Sequence, residues 1–185
     1  MILVNDLRAG MTFVLDGELL MVLDKTNNKT ARSQMSIKTK VKNMRTGSIT
    51  ELSWTGGDKA KRAHIDKKEM QYLYDDGENF VFMDNETYEQ IQISKERLEW
   101  EMNFMKESSN VEVVMYENEV LGVNLPDKIA LTVVETEPAV KGDTATAAMK
   151  NAKLETGLEV RVPLFIEQDE VILVTTEDGK YSSRA

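Results

Sequence analysis

The sequence predicts an all-β chain made of three small β-barrel domains. Three observations carry that expectation. Apolar and polar residues alternate with a period of two through most of the chain. Turn signals, several of them Asp-Gly, separate these short runs. Only one stretch, 95–107, shows a helical period instead. The runs fall into three groups, 1–64, 65–127 and 128–185, each near the lower size limit for an independent core. No long flexible linker separates the groups, so the domains are expected to abut.

FVLDGELLMVLD (13–24) reads as a hairpin turned at Asp16-Gly17. SIKTKVKN (36–43) alternates cleanly: Ile37, Thr39 and Val41 face one side, and Lys38, Lys40 and Lys42 face the other. NMRTGSITELSW (43–54) is a strand pair turned at Arg45-Thr46-Gly47. MQYLYDDGENFVFMD (70–84) is a third hairpin, with Asp76-Gly77 in its loop. KERLEWEMNFMKE (95–107) predicts a helix, with Leu98, Met102 and Met105 on one face. VEVVMYENEVLGVNLP (111–126) is a hairpin that stops at Pro126, and KIALTVVETEP (128–138) a strand that ends at Pro138. KGDTATAAMKNAK (141–153) is a loop or short helix between strands. GLEVRVPLFIE (157–167) and EVILVTTEDGKYSSR (170–184) complete the last sheet, with a turn at Asp178-Gly179. The second and third groups fit five-stranded barrels of the oligonucleotide-binding (OB) type.

Aromatics make up only 6% of the residues, so aliphatic side chains and Met must fill the cores. With no cysteine, disulfides, thiolate metal sites and cysteine nucleophiles are excluded, which suits a cytoplasmic protein. No apolar run reaches membrane-spanning length, and MILVNDLRAG lacks the features of a signal peptide. The net charge of −9 is unevenly spread. Residues 1–64 balance at +5, 65–127 at −11 and 128–185 at −3. Residues 25–45 hold seven basic residues and no acidic one. Such asymmetry fits a first domain that faces a polyanion.

Nothing in the chain builds a catalytic site. His64 is the sole histidine and reads as a surface or hinge residue at a domain edge. Asp75, Asp76 and Glu78 surround a hairpin turn without calcium-loop spacing, and read as a solvated turn. There is no Walker loop and no dinucleotide-binding glycine motif. The chain therefore reads as a binder without cofactor or metal. Arg32 stands in NKTARSQMS (28–36) with no carboxylate nearby. With Lys25, Lys29, Lys38 and Lys40 on the flanking strands, it reads as the charged tip of a basic protrusion. Five residues of strand would extend it roughly 17 Å. The planar guanidinium suits phosphate and base edges. Lys38, Lys40, Lys42 and Arg45 would form an RNA-binding stripe behind it.

Three long stretches carry a family resemblance: MQYLYDDGENFVFMDNETYEQI (70–91), VVETEPAVKGDTATAAMKNAKLETGLEVRVP (133–163) and the closing EDGKYSSRA. They resemble bacterial elongation factor P, and the similarity covers essentially the whole chain. The resemblance implies an SH3-like (KOW-like) first barrel over 1–64 and OB barrels over 65–127 and 128–185, in an L-shaped, tRNA-like arrangement. It implies a non-enzymatic, cytoplasmic, monomeric factor. That factor binds the ribosome (its rRNA and ribosomal proteins) between the P and E sites. There it stimulates peptide bond formation at consecutive-proline stalls. Arg32 would face the peptidyl-tRNA end from a tip loop of Lys29, Thr30, Ala31, Ser33, Gln34 and Met35. Gly142, Asp143 and Thr144 would face messenger RNA in the E site. Some members carry a modified arginine at the tip, which implies an arginine-modifying enzyme as a partner.

The chain departs from the pattern at three places. Thr30-Ala31-Arg32-Ser33 stands where Pro-Gly-Lys-Gly is commonest; Asn151 replaces a usual proline, and Asp169 a usual glycine. Loss of two glycines predicts a stiffer or differently turned tip. These departures suggest a diverged paralogue. An alternative reading is a general single-strand RNA-binding protein or RNA chaperone. It would need stacking aromatics on the outer barrels, for which Tyr72, Tyr74, Phe80 and Phe82 are the candidates.

Overall fold

In a computed structural model, residues 1–29, 31–139 and 148–185 are described. They are all β apart from three short 3-10 helices. The first sheet has the order β1-β6-β2-β3-β4-β5. Its strands are β1 (Ile2–Leu3), β2 (Thr12–Leu15), β3 (Glu18–Asn28), β4 (Ser36–Asn43), β5 (Ile49–Thr55) and β6 (Lys59–Ala63). Leu15 pairs with Glu18, and Asp16 and Gly17 between them both have positive φ, 49° and 80°. That is the geometry of a two-residue type I′ hairpin, and Asp-Gly adopts it readily. The inward residues of β2, β3 and β4, among them Phe13, Val22, Ile37 and Val41, form one buried core. Trp54 packs on it edge-on to Phe13, with ring centroids 5.8 Å apart.

The second sheet runs β11-β10-β7-β8-β9. It is formed by β7 (Asp66–Asp75), β8 (Asn79–Asp84), β9 (Gln90–Ser94), β10 (Asn110–Tyr116) and β11 (Glu119–Asn124). The third runs β14-β13-β12-β15-β16. It is formed by β12 (Lys128–Thr136), β13 (Met149–Leu154), β14 (Glu159–Pro163), β15 (Val171–Thr175) and β16 (Tyr181–Arg184). The chain divides into two compact units. One is Met1–Asp66 with Met115–Leu121, and the other is Lys67–Val114 with Gly122–Ala185. The tip of the β10–β11 hairpin thus belongs to the first unit.

The expected helix over 95–107 does not form. Two 3-10 helices, Lys95–Leu98 and Glu101–Phe104, take its place. The buried residues of the segment are Leu98, Phe104 and Met105, whereas Met102 is exposed. A straight helix would hold Leu98, Met102 and Met105 on one face. Breaking the segment at Glu99 and Trp100 turns Phe104 inward instead. Phe104 joins the core of the third sheet beside Leu131, Val133 and Ile172. Trp100 stacks edge-on to it at 5.3 Å and donates its indole N–H to the Thr176 carbonyl at 2.8 Å. Thr156 donates its hydroxyl to the Asn103 carbonyl at 2.5 Å. Tertiary packing has overridden the local period.

Turn carboxylates are structural. Asp76 Oδ1 accepts from the amides of Asn79 at 2.7 Å and Glu78 at 3.0 Å. Asp84 Oδ1 accepts from the amides of Glu86 at 2.8 Å and Thr87 at 3.2 Å. Asp178 accepts from the Thr175 hydroxyl and the Lys180 amide. These bonds hold all three carboxyls below their ordinary value near 3.8. A depressed folded-state pKa contributes stability that is fully present above the unfolded value. It is lost as pH falls through the lower folded value. Asp76→Asn keeps an acceptor but removes the titration. Its unfolding midpoint is therefore expected to fall less steeply than the parent's below pH 3.8. Equal acid limbs in the two proteins would remove Asp76 from the account.

Asp169, where the family resemblance expects glycine, has φ 69°. That backbone is left-handed and free for glycine, and Asp tolerates it better than most residues. Asp169→Gly is expected to leave the fold intact and to stabilise it by up to about 1 kcal/mol, read from a denaturant midpoint.

Candidate nucleic-acid interface

The first barrel carries a long antiparallel arm. β3 has 11 residues, roughly 37 Å of extended chain. Its pairing with β4 runs from Leu20↔Asn43 out to Asn28↔Ser36. Beyond Val22 no residue of β3 is buried. The arm is not a bare two-stranded protrusion, because β5 flanks β4 as far as Ser36↔Thr55. At the far end the Gly56 amide donates to the Met35 carbonyl at 2.7 Å. Ile37 is buried and Met35 and Trp54 are partly buried, so the arm is braced from β5's side. Trp54 Nε1 donates to Thr39 Oγ1 at 2.9 Å. A buried hydroxyl on an otherwise apolar strand face thereby gains its partner.

Past the arm, Lys29, Ala31, Arg32, Ser33 and Gln34 are exposed, and Met35 is half-buried. Thr30 lies outside the described residues. Among the described residues Arg32 has no carboxylate partner. Gly142, Asp143 and Thr144 also lie outside the described residues. On β13, Asn151 donates its backbone N–H and its Nδ2 to Glu137, at 3.1 and 3.2 Å. Proline at 151 would have no N–H to donate. Those bonds hold the Glu137 carboxyl below its ordinary range.

Lys38, Lys40 and Lys42 are exposed on one face of β4, with buried Ile37, Thr39 and Val41 between them. The face is less purely basic than the sequence suggests. Lys40 pairs across the sheet with Asp24 on one side and Glu51 on the other. Lys38 Nζ lies 3.4 Å from Glu51 Oε1, in an exposed ion pair. Asp24, Thr26, Lys38, Lys40 and Glu51 line a shallow groove. Lys25 does not share the exposed face of Lys38 and Lys40: it pairs with Thr39 on the opposite face and donates its Nζ to the Asn5 carbonyl at 2.5 Å. Arg45 is not on the strand but in the β4–β5 turn. Its Nε and Nη2 donate to the two carboxylate oxygens of Glu119, at 2.9 and 3.1 Å. Its Nη1 donates to the Gly17 carbonyl at 2.9 Å.

Three family models match the chain. Residues 3–60 match the Elongation factor P (EF-P) KOW-like domain, 65–123 the Elongation factor P (EF-P) OB domain, and 129–184 the Elongation factor P, C-terminal. A protein named Elongation factor P from Mycoplasma mycoides is 53% identical over 182 residues, covering 98% of this chain and 99% of its own. The chain belongs to the elongation factor P family.

Another family member, from Moorella thermoacetica, is 45% identical over the full length of both chains. Elongation factor P is a translation elongation factor, and its KOW-like and OB domains account for the three curled sheets. Among solved structures, eukaryotic translation initiation factor 5A from Methanococcus jannaschii superposes with a TM-score of 0.53. The match covers 66% of this chain and 90% of that one at 20% identity, so it speaks to the fold alone. Among the described residues no helix is long and apolar enough to cross a membrane, and no acidic or histidine cluster could hold a metal ion.

Two points were hidden from the sequence. One is Glu51, which sits beside the lysine stripe only through β4–β5 register. The other is Glu119, which meets Arg45 from 74 residues away. Glu51→Gln is expected to raise affinity for a short oligouridylate at low salt about two- to fivefold, the reach of an exposed ion pair. Anisotropy titration would measure it. Unchanged or weaker binding would mean that Glu51 does not mask the stripe.

Proposed function

We propose that the chain is a non-enzymatic elongation factor that binds the ribosome between the P and E sites and relieves consecutive-proline stalls. The single observation that supports this most is the exposed Arg32, without a carboxylate partner among the described residues, at the end of a braced arm. Lys38, Lys40 and Lys42 along the arm would contact phosphates, which position without reading sequence. Arg32 would then meet the acceptor end of the peptidyl-tRNA. Gly142, Asp143 and Thr144 would face messenger RNA.

Proline has a fixed φ and a secondary amine, so it reacts slowly and constrains the nascent chain. A bound factor that orders the peptidyl-tRNA end supplies orientation. Orientation can lower a barrier by about 7 kcal/mol at the low end of effective-molarity estimates. No side chain of the factor need transfer a proton. The rival reading, a general single-strand RNA binder, loses most of its stacking surface. Tyr72, Phe80 and Phe82 are buried in the second sheet, and only Tyr74 of the four is exposed.

The test is translation of a tri-proline reporter in a purified system that lacks its own factor. Added protein is expected to release the stall. Ribosome binding is expected to weaken with salt at a slope near one per phosphate contact. A stall that persists, with a flat salt response, would sink the reading.

A further inference from the structure

Arg45 looks from the sequence like one more cation of the RNA-binding stripe. Its geometry says otherwise. The guanidinium holds both oxygens of Glu119 in a bidentate fork and the Gly17 carbonyl besides. Arginine's planar fork matches a carboxylate in this way, which a lysine cannot reproduce. The turn that carries it is fixed independently. Asn43 Oδ1 accepts from the backbone amides of Arg45 at 2.8 Å and Thr46 at 3.1 Å, and Asn43 Nδ2 donates to Glu18 Oε2 at 2.6 Å. Gly47, with φ 77°, closes the turn. Three hairpins therefore converge on one side chain: β2–β3 through Gly17, β4–β5 through Arg45 itself, and β10–β11 through Glu119. All lie in the first compact unit, whose second chain segment is Met115–Leu121. To reach a phosphate, Arg45 would have to leave Glu119 and expose a bare carboxylate beside the RNA.

We infer that Arg45 is a positioning residue that fastens the β10–β11 hairpin tip to the turn corner of the first barrel, and that it does not contact RNA. Only the second half of this rests on the ribosomal reading above. The experiment has two arms. In the first, amide hydrogen exchange is followed at residues 115–121 in the full chain. The variants are Arg45→Met, Glu119→Gln and the charge-swapped pair Arg45→Glu with Glu119→Arg. Each single variant is expected to exchange roughly two- to fivefold faster at the hairpin tip, the range of a partly exposed ion pair. The swapped pair should recover at least part of the protection. Added salt should speed exchange at the tip in the parent protein but not in Arg45→Met. Unchanged protection in the single variants, or no recovery in the swap, overturns the fastening role.

In the second arm, binding to purified ribosomes carrying a P-site tRNA is measured against salt. Arg45→Met is expected to keep the parent's slope, while Lys40→Ala lowers it by about one. A slope that also falls by about one in Arg45→Met would make Arg45 a phosphate contact and overturn the inference. If the parent protein itself fails to bind ribosomes, the functional reading fails, and the exchange arm still decides the fastening role.

Discussion

Arg32→Ala is expected to abolish relief of a tri-proline stall while leaving the thermal unfolding midpoint unchanged. The two halves follow from the same fact. Arg32 is exposed and, among the described residues, has no carboxylate partner. Truncating such a side chain costs the fold within about 0.5 kcal/mol. The functional cost is of a different order. If the guanidinium holds the peptidyl-tRNA end, its loss removes the orientation on which the proposed mechanism depends. Arg32→Lys divides the role further. It keeps the charge and the stem but loses the planar fork. A lysine that works as well would mean that the tip needs only a point charge. A lysine that fails would mean that the donor geometry matters. One tri-proline reporter suffices, with three unmodified proteins: parent, alanine and lysine. Full relief by the alanine variant would remove Arg32 from the mechanism and leave the lysine face as the next candidate. Failure of the unmodified parent, followed by success of protein purified from its native cell, would assign the missing group to a covalent extension of Arg32.

The sequence made the alternation of β4 legible because a strand's two faces are written into its period. Lys38, Lys40 and Lys42 against Ile37, Thr39 and Val41 needed no partner strand to be assigned. The Asp16-Gly17 turn was legible for a similar reason, since both residues must accept positive φ. What could not be read were the cross-strand neighbours. Lys38 looks free until register places Glu51 beside it. Lys25 looks like one more outward cation of the basic protrusion until the β3–β4 pairing, with its irregularity between Val22 and Asp24, puts it opposite Thr39. Arg45 looks like a phosphate ligand until Glu119 arrives from a distant hairpin. Charge runs report composition. Which charges remain available is set by contacts across many residues of sequence.

The segment 95–107 departs from its local period for the same reason, and it carries the largest stability prediction. Its local period favoured Leu98, Met102 and Met105, but the gain from burying Phe104 was non-local. Phe104 is only 2% exposed and sits in the third core against Leu131, Val133 and Ile172. Trp100 covers it edge-on and lies over Gly179, where an added Cβ would come within 3.2 Å of the indole. So the phenyl ring is the segment's anchor in the third core, roofed by a tryptophan whose N–H is itself satisfied. Phe104→Ala deletes the ring and leaves a cavity that the surrounding strands cannot close. The expected cost is about 3–5 kcal/mol. Met102→Ala, on an exposed side chain of the same segment, is the control and should cost no more than about 0.5 kcal/mol. Urea unfolding followed by far-UV circular dichroism reads both. A large drop in midpoint for Phe104→Ala, beside an unchanged Met102→Ala, means that the helical period was overridden by burial of this one ring. Equal small effects would mean that the segment is held by its backbone and the Trp100 bond, with Phe104 a passenger in the core.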